Sequence, residues 1–174
     1  FILKSLCFFN YKKGAIIINK FIIKKAEPSD ANTLLALIKE LAEYEKRSDA
    51  VVISTFDLIK GIKKAYFKAL LLYYQDKIAG YVVYYYNYST FQGKRGLYIE
   101  DIYIISDFRH QGLGKKIMAY LAKTALENDC NRIDLSCLKW NKPTLKFYET
   151  LKASMVFEWH SLTLNERQLK EMIK

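Results

Sequence analysis

The chain has 174 residues, of which 51% are hydrophobic and 15% aromatic, and it carries a formal net charge of +10. This length supports one domain with a sizeable core, and the composition excludes intrinsic disorder. The charge alone would suit a nucleic acid, but the lysines are scattered, and the sequence has no nucleic-acid-binding motif and no clustered basic helix. No apolar run reaches the roughly 18 to 20 residues that span a bilayer. We therefore expect neither a nucleic-acid partner nor a membrane partner.

The cysteines and histidines indicate the compartment and argue against a metal site. Cys7, Cys130 and Cys137 form no C-x-x-C pair and are odd in number, which is typical of reduced thiols in the cytoplasm. His110 and His160 are too few and too far apart in the sequence to predict a bound metal.

The chain in order predicts one mixed α/β domain over residues 20–174, preceded by an extension of unknown role over residues 1–19. A helix begins after Ser29 or Asp30, a second one covers 55–64, and a third covers 115–128. A fourth helix follows Asn141 and Pro143, and 165–174 forms a helical tail. Alternating or β-rich runs predict strands over 20–25, 69–74, 78–88, 97–105, 132–138 and 155–164. This order favours a mixed α/β sandwich over a doubly wound parallel sheet.

A glycine loop joins the strand over 97–105 to the helix over 115–128. A strand that turns through two glycines into a helix leaves backbone N–H groups unpaired at the positive end of the helix dipole. Such a turn predicts an anion site, most simply for a phosphate. It is neither a Walker A loop nor the dinucleotide fingerprint, and an ordinary turn with left-handed glycines stays open as an alternative. The loop is Arg109-His110-Gln111-Gly112-Leu113-Gly114.

Acidic residues stand out at two places. Glu100 and Asp101 are adjacent on a predicted strand, where neighbouring side chains point to opposite faces, so at least one carboxylate should face the interior or a cleft. A buried carboxylate is costly unless it is paired, hydrogen-bonded or in use. Glu43 and Glu45 lie at the end of the first helix, where acids oppose the helix dipole. A solvated last turn and a functional use both stay open for them.

Several segments match one known family in the right order. They are Ile38-Lys39-Glu40-Leu41-Ala42-Glu43-Tyr44-Glu45, Tyr98-Ile99-Glu100-Asp101, the glycine loop, Trp140-Asn141-Lys142-Pro143-Thr144 and Phe147-Tyr148. Together they resemble the spermidine/spermine (diamine) N-acetyltransferases of the GNAT superfamily and their thialysine-acetylating relatives, over residues 20–174. The resemblance implies a mostly antiparallel mixed sheet flanked by helices, in which the fourth and fifth strands are parallel and splay apart. It also implies a homodimer.

The resemblance implies acetyl-CoA as the acetyl donor. The pantetheine arm would pair with the backbone of Ile102, Tyr103 and Ile104, and the start of the fourth helix would contribute Asn141, Thr144 and Tyr148. The pyrophosphate would lie on Arg109, His110, Gln111, Gly112, Leu113, Gly114 and Lys115.

The implied reaction is direct acetyl transfer to an amine in a ternary complex. A primary amine has a reference pKa of about 10.4 and must lose a proton before it attacks a thioester. Glu100, acting directly or through water, is the candidate base, and a backbone N–H near Ile102 polarises the thioester carbonyl. Tyr148 is the candidate acid for the departing thiolate. A hydrogen-bonded aromatic residue of an amphipathic helix is the alternative reading of Tyr148.

The acceptor should be a small amine with a second charge. Carboxylates and aromatic faces bind ammonium groups, and the residues that match the family's substrate cleft are Tyr44, Glu45, Glu100, Asp101 and Trp159. Where the polyamine enzymes carry Asp-x-Trp, this chain has Ser89-Thr90-Phe91, which favours a shorter or zwitterionic amine such as a diamine or a lysine analogue. Lys152 stands where the family often has glycine, which predicts a local difference in the turn. Acetylation of a protein or peptide, and a non-catalytic acyl-CoA-binding module, are the alternatives.

Overall fold

The computed structural model describes residues 10–12, 15–18, 20–158 and 160–173. Trp159 and most of the predicted extension therefore lie outside the described residues. The chain divides after Ser136 into two compact units, which are described separately below. The assignment of residues 20–174 to a single domain stays a prediction.

The first unit contains a seven-stranded sheet whose strands follow one another in chain order. Neighbouring strands are antiparallel except the last two, which are parallel. The strands are β1 Asn10–Lys12, β2 Ala15–Ile18, β3 Phe21–Lys25, β4 Lys68–Tyr74, β5 Lys77–Ser89, β6 Lys94–Ile104 and β7 Cys130–Leu135. The strands from β3 onward confirm the predictions over 20–25, 69–74, 78–88, 97–105 and 132–138, whereas β1 and β2 lie in the extension and were not predicted.

Three helices of the first unit cover the two faces of the sheet. They are α1 Ala31–Tyr44, α2 Thr55–Lys63 and α3 Leu113–Glu127, and all three were predicted. α3 packs on one face through Leu113, Ile117, Leu121 and Ala125, which recur every four residues. α1 and α2 pack on the other face, in a core that includes Leu34, Leu37, Leu58, Leu71 and Tyr81.

The parallel pair of strands separates partway along its length, as predicted. β6 and β7 are paired from Arg95 and Cys130 to Ile99 and Leu135. Beyond Ile99, β6 continues to Ile104 with β5 as its neighbour and with no β7 partner among the described residues. The β7-facing backbone of this last part of β6 therefore borders a gap.

A β-bulge in β6 changes the direction of the side chains that follow it. Tyr84 pairs with Ile99 and Val83 with Asp101, so that Glu100 is an extra residue without a partner on β5. Ile99 before the bulge packs in the core next to α3, whereas Tyr103 after it packs in the core next to α1. The prediction that Glu100 and Asp101 point to opposite faces assumed regular alternation, which the bulge removes.

The second unit contains α4 Lys142–Thr150 and α5 Glu166–Met172. The Asn141 side chain accepts a hydrogen bond from the Thr144 N–H at 3.3 Å, and Pro143 occupies the first turn, which explains why α4 begins there. α5 begins with a reciprocal pair of bonds between Asn165 and Gln168. Both helices were predicted.

The predicted strand over 155–164 is wrong. The described residues of this segment form no strand, and Met155, Val156, Phe157 and Leu162 are exposed. A strand needs a neighbouring strand to bond its backbone groups. The apolar pattern indicated strand propensity but carried no information about a partner.

A residue just beyond the end of α4 is strained, and the strain gives a stability prediction. Lys152 has φ 59°, in the left-handed region, and its N–H donates to the Glu149 carbonyl at 2.9 Å. We expect Lys152→Gly to stabilise the protein by about 1 kcal/mol because glycine adopts this conformation without a steric cost.

Thermal unfolding with a matched lysine-to-glycine change checks this prediction. Lys146 is exposed in the interior of α4, so Lys146→Gly should lower the stability by about 1 kcal/mol. Equal losses in the two variants would show that Lys152 is not strained.

Candidate functional site

The glycine loop has the backbone geometry of an anion site. After β6, a short 3-10 turn over Ser106–Phe108 leads into the loop, where His110 has φ 60° and Gly112 has φ 76°. Gly112 immediately precedes α3, and a Cβ there would meet no atom within 4 Å. Glycine is therefore favoured at this position by its backbone angle and not by lack of space.

The first turn of α3 leaves several backbone donors without an acceptor. The Lys116 N–H donates to the Gly112 carbonyl at 3.2 Å. The N–H groups of Leu113, Gly114 and Lys115 precede it and have no backbone acceptor in the described part of the chain. These donors lie at the positive end of a 15-residue helix, which is the arrangement that binds phosphate.

The side chains of the loop hold the loop in place. Arg109 Nε donates to the Ile104 carbonyl at 2.8 Å, and the guanidinium carbon lies 4.7 Å from the ring centre of Tyr44 and 5.6 Å from that of Tyr103. Gln111 Nε2 donates to the Asp107 carbonyl at 3.1 Å. Arg109 thus ties the loop to the end of β6 and to the end of α1, and its contact with a pyrophosphate stays a prediction.

The two carboxylates at the bulge differ in their surroundings. Asp101 is half-buried, and burial raises the pKa of its carboxyl group to about 6 although the nearby Tyr81 hydroxyl lowers it. The charges of Glu100 and Glu45 raise this pKa further. Glu100 itself is exposed, and its charge also contributes to the raised pKa of Tyr85, for which burial is the larger cause. Asp101 is therefore partly withdrawn from water, whereas Glu100 remains in contact with it.

The end of α1 contributes to the same group of acids. Glu45 follows the last residue of α1, is half-buried, and has its N–H bonded to the Leu41 carbonyl at 2.9 Å. Its charge raises the pKa of both Asp101 and Tyr81. Glu43, by contrast, is exposed. Glu43 is therefore a solvated residue of the last helical turn, whereas Glu45 lies next to the bulge, where a functional use stays open.

Tyrosines surround the carboxylates. Tyr81 is fully buried, and its ring centre lies 6.4 Å from that of Tyr103. Tyr85 and Tyr98 stack with their ring centres 5.1 Å apart, and the Tyr98 hydroxyl lies 2.9 Å from Ser136 Oγ. Sequence reasoning interpreted this tyrosine-rich stretch as sheet packing and missed Tyr81, because only the register between β5 and β6 brings it to Asp101.

The second unit holds the remaining predicted residues. Asn141 and Tyr148 are buried, with exposed fractions of 6% and 7%, and Thr144 is half-buried. Burial, with a smaller contribution from Cys137, raises the pKa of Tyr148 to about 12, so its hydroxyl stays protonated at neutral pH. The side chain of Asn141 caps α4 through its bond to Thr144.

The fold and the glycine loop define a class of enzyme, and comparison with known proteins identifies it. Residues 34–152 match the sequence profile of the Acetyltransferase (GNAT) family. The chain belongs to this family and is an acetyltransferase, as predicted.

The curated relatives narrow the family to the branch that the sequence resembles. The chain is 35% identical to the thialysine N-epsilon-acetyltransferase of Bos taurus, over 87% of this chain and 96% of that protein. It is 34% identical to the protein of the same name from Caenorhabditis elegans, over 75% of this chain and 81% of that protein. The spermidine/spermine N(1)-acetyltransferase-like protein 1 of Homo sapiens is 29% identical over 87% of this chain but only 24% of its own length.

A solved structure supports the fold. An integron cassette protein from the mobile metagenome of V. cholerae superposes with a TM-score of 0.72, covering 89% of this chain and 98% of that one at 22% identity. In the part of the chain that the structure describes, no helix is both long and apolar enough to cross a membrane.

Proposed function

We propose that the protein transfers the acetyl group of acetyl-CoA directly to a primary amine of a small diamine-like or lysine-like substrate in a ternary complex. The observation that carries this proposal is the pair of carboxylates at the β6 bulge. They lie on β6, the strand that leads into the glycine loop. Glu45, at the end of α1, is close enough for its charge to raise the pKa of Asp101.

The residues present fit acetyl-CoA. The edge of β6 that faces away from β5 has no β7 partner beyond Ile99 in the described part of the chain, so around Ile102, Tyr103 and Ile104 it can offer hydrogen bonds to an extended amide-containing chain. The backbone donors at the start of α3 suit a pyrophosphate. By family resemblance, Asn141, Thr144 and Tyr148 complete the cofactor site. When bound, acetyl-CoA supplies an activated acetyl thioester.

Glu100 is the proposed base for the attacking amine. An ammonium group with a reference pKa of about 10.4 must give up its proton before it can react. The base that takes this proton must then release it. Because Glu100 is exposed, it can pass the proton to water. The backbone N–H near Ile102 is the proposed donor to the thioester oxygen.

Tyr148 is the proposed donor to the departing sulfur. Its raised pKa keeps the phenol protonated but also makes it a weaker acid than a tyrosine in water. Full transfer to a free thiolate, whose conjugate acid has a reference pKa of about 8.5, would be uphill. Tyr148 therefore acts by hydrogen-bonding the sulfur while the C–S bond breaks.

The loop after β5 supports a short substrate. The Ser89 hydroxyl accepts a hydrogen bond from the Gln92 N–H at 3.2 Å and so closes its own turn, and Phe91 is 98% exposed. No carboxylate occupies this turn to bind a distant amine of a long polyamine. By family resemblance, Tyr44, Glu45, Asp101 and Trp159 bind the second charge of a shorter acceptor.

We also propose that the protein is a homodimer and that it is located in the cytoplasm. The homodimer is inferred from the family resemblance, and light scattering would measure it. The cytoplasmic location is inferred from the odd number of cysteines in the sequence and from the lack of a C-x-x-C pair.

A thiol-release assay with acetyl-CoA tests the function. The acceptors are putrescine, spermidine, spermine, lysine, thialysine and a basic peptide. We expect turnover on a small amine with two charged groups, and Glu45→Gln should raise its KM about tenfold by removing a charge-assisted bond. Glu43→Gln, at an exposed acid of the same helix end, should leave KM unchanged.

Two results would contradict the proposal. Turnover on the peptide alone would favour a protein acetyltransferase. No turnover on any acceptor, with tight binding of acetyl-CoA, would favour a non-catalytic acyl-CoA-binding module.

A further inference from the structure

The hydroxyl groups of Tyr98 and Ser136 form a bridge between β6 and β7 at the point where the two strands separate. In the described part of the chain, the last residues that pair between these strands are Ile99 and Leu135. Tyr98 comes immediately before this pair on β6, and Ser136 comes immediately after the end of β7. Their side-chain oxygens lie 2.9 Å apart, within hydrogen-bond distance, and either hydroxyl can be the donor. The bridge therefore crosses the start of the gap between the strands.

The bridge closes one face of the sheet at this point, and apolar side chains close the other face. Ile99 belongs to the core next to α3 and is 2% exposed, and Leu135 packs against the same core. Successive side chains of a strand point to opposite faces, so Tyr98 lies on the face away from α3. Its bond to Ser136 places that hydroxyl on the same face. The start of the gap is thus bounded by paired backbone, by two apolar side chains and by the bridge.

A second aromatic ring holds Tyr98 in this position. Tyr85 is the β5 partner of Tyr98, and the two rings stack with their centres 5.1 Å apart and their planes 29° from parallel. Offset stacking of aromatic rings is a favourable geometry. The Tyr98 side chain is therefore restrained by the stack along its ring and by Ser136 at its hydroxyl. A group that needed the space of the bridge would have to break both contacts.

We propose that the Tyr98–Ser136 bridge makes the protein selective for a short acyl group by closing the start of the gap between β6 and β7. This inference rests on the proposed function, in which the pantetheine arm runs along β6 and the thioester oxygen accepts a hydrogen bond from the N–H near Ile102. An acyl group that continues in the same direction along β6 reaches the bridge.

The length of strand before the bridge suits a two-carbon acyl group. Ser136 comes directly after the last pair of residues, and so does Glu100 on the other strand, so the two lie at about the same level. From Glu100 to Ile102 the strand rises about 7 Å, part of which the radii of the atoms occupy. A longer chain must displace the bridge or move the thioester away from its N–H donor. Closely packed groups accommodate extra methylene groups poorly, so either change has a cost.

Tyr98→Ala in the full chain tests the inference by binding alone, without an acceptor amine. Titration calorimetry measures the dissociation constants of coenzyme A, acetyl-CoA and hexanoyl-CoA, whose acyl group has six carbons. We expect the wild type to bind hexanoyl-CoA about tenfold more weakly than acetyl-CoA, because extra methylene groups must enter a closed space. Tyr98→Ala should remove this difference and leave the affinity for coenzyme A unchanged.

Two further variants control for the loss of the ring. Tyr88→Ala also removes a tyrosine from the sheet, but Tyr88 is 63% exposed and pairs with Arg95, away from the gap. This variant should keep the wild-type preference for acetyl-CoA. Ser136→Ala, at an exposed residue, removes the bond and keeps the Tyr98 ring. It should weaken the preference, because the ring is then free to turn aside, and it provides the test if Tyr98→Ala does not fold.

Turnover separates the inference from the proposed function. With cadaverine, a diamine, as the acceptor, Tyr98→Ala should raise kcat/KM for hexanoyl-CoA about tenfold relative to that for acetyl-CoA. Equal binding of the two thioesters by the wild type, or a preference that survives in both Tyr98→Ala and Ser136→Ala, would overturn the inference while acetyl transfer stands. Selective binding of acetyl-CoA without transfer to any amine would overturn the proposed function and support the inference.

Discussion

Replacing Tyr148 with phenylalanine should lower kcat about a hundredfold on the preferred amine, with little change in the affinity for coenzyme A. The substitution removes only the hydroxyl that donates to the departing sulfur, and losing one hydrogen-bond donor to a charge that develops in the transition state costs about a hundredfold or more. The ring, which is buried and lies 5.3 Å from that of Phe147, is kept. The loss should therefore appear in kcat and not in the Tm.

Steady-state kinetics and thermal unfolding measure this result together. Tyr66→Phe, at a tyrosine that is 64% exposed, is the control for removing a hydroxyl and should behave as the wild type. A Tyr148→Phe variant with wild-type kcat would show that Tyr148 is only a packing residue of α4.

Gly80→Ala should destabilise the protein by about 3 kcal/mol or more. Gly80 pairs with Ile104 where β5 meets the end of β6, and it has φ +155°. A Cβ at this position would collide with the Tyr103 carbonyl oxygen and lie 3.1 Å from the Ile104 Cα. Backbone atoms held in a sheet cannot move aside cheaply, so overpacking and backbone strain add.

Chemical denaturation of Gly93→Ala provides the comparison. Gly93 has φ +60°, but a Cβ there would meet no atom within 4 Å, so this change adds strain alone and should cost about 1 kcal/mol. If Gly80→Ala lowers the free energy of unfolding no more than Gly93→Ala does, the backbone of β6 leaves room for a side chain at position 80.

Local signals in the sequence predicted most of the elements. α3 was recognisable because its apolar residues recur with the helical period and two glycines mark its start. α4 was recognisable from Asn141 and Pro143, since an amide cap followed by proline specifies a first turn. Each of these signals lies within a few residues of the structure it specifies.

The features that the sequence did not reveal depend on contacts between distant segments. The bulge at Glu100 is a property of the register between β5 and β6, and no residue near Glu100 marks it. Tyr81 was missed for the same reason, because a tyrosine in a strand is compatible with either core. The strand predicted over 155–164 failed because its pattern contained no information about a neighbouring strand.

Mass-spectrometric identification of the product tests whether the protein acetylates a small, doubly charged amine. The protein is incubated with acetyl-CoA and an equal mixture of thialysine, cadaverine, n-hexylamine and a basic peptide. We predict that an N-acetylated form of a small, doubly charged amine, cadaverine or thialysine, dominates. Acetylation confined to the peptide, or equal acetylation of cadaverine and n-hexylamine, would contradict it.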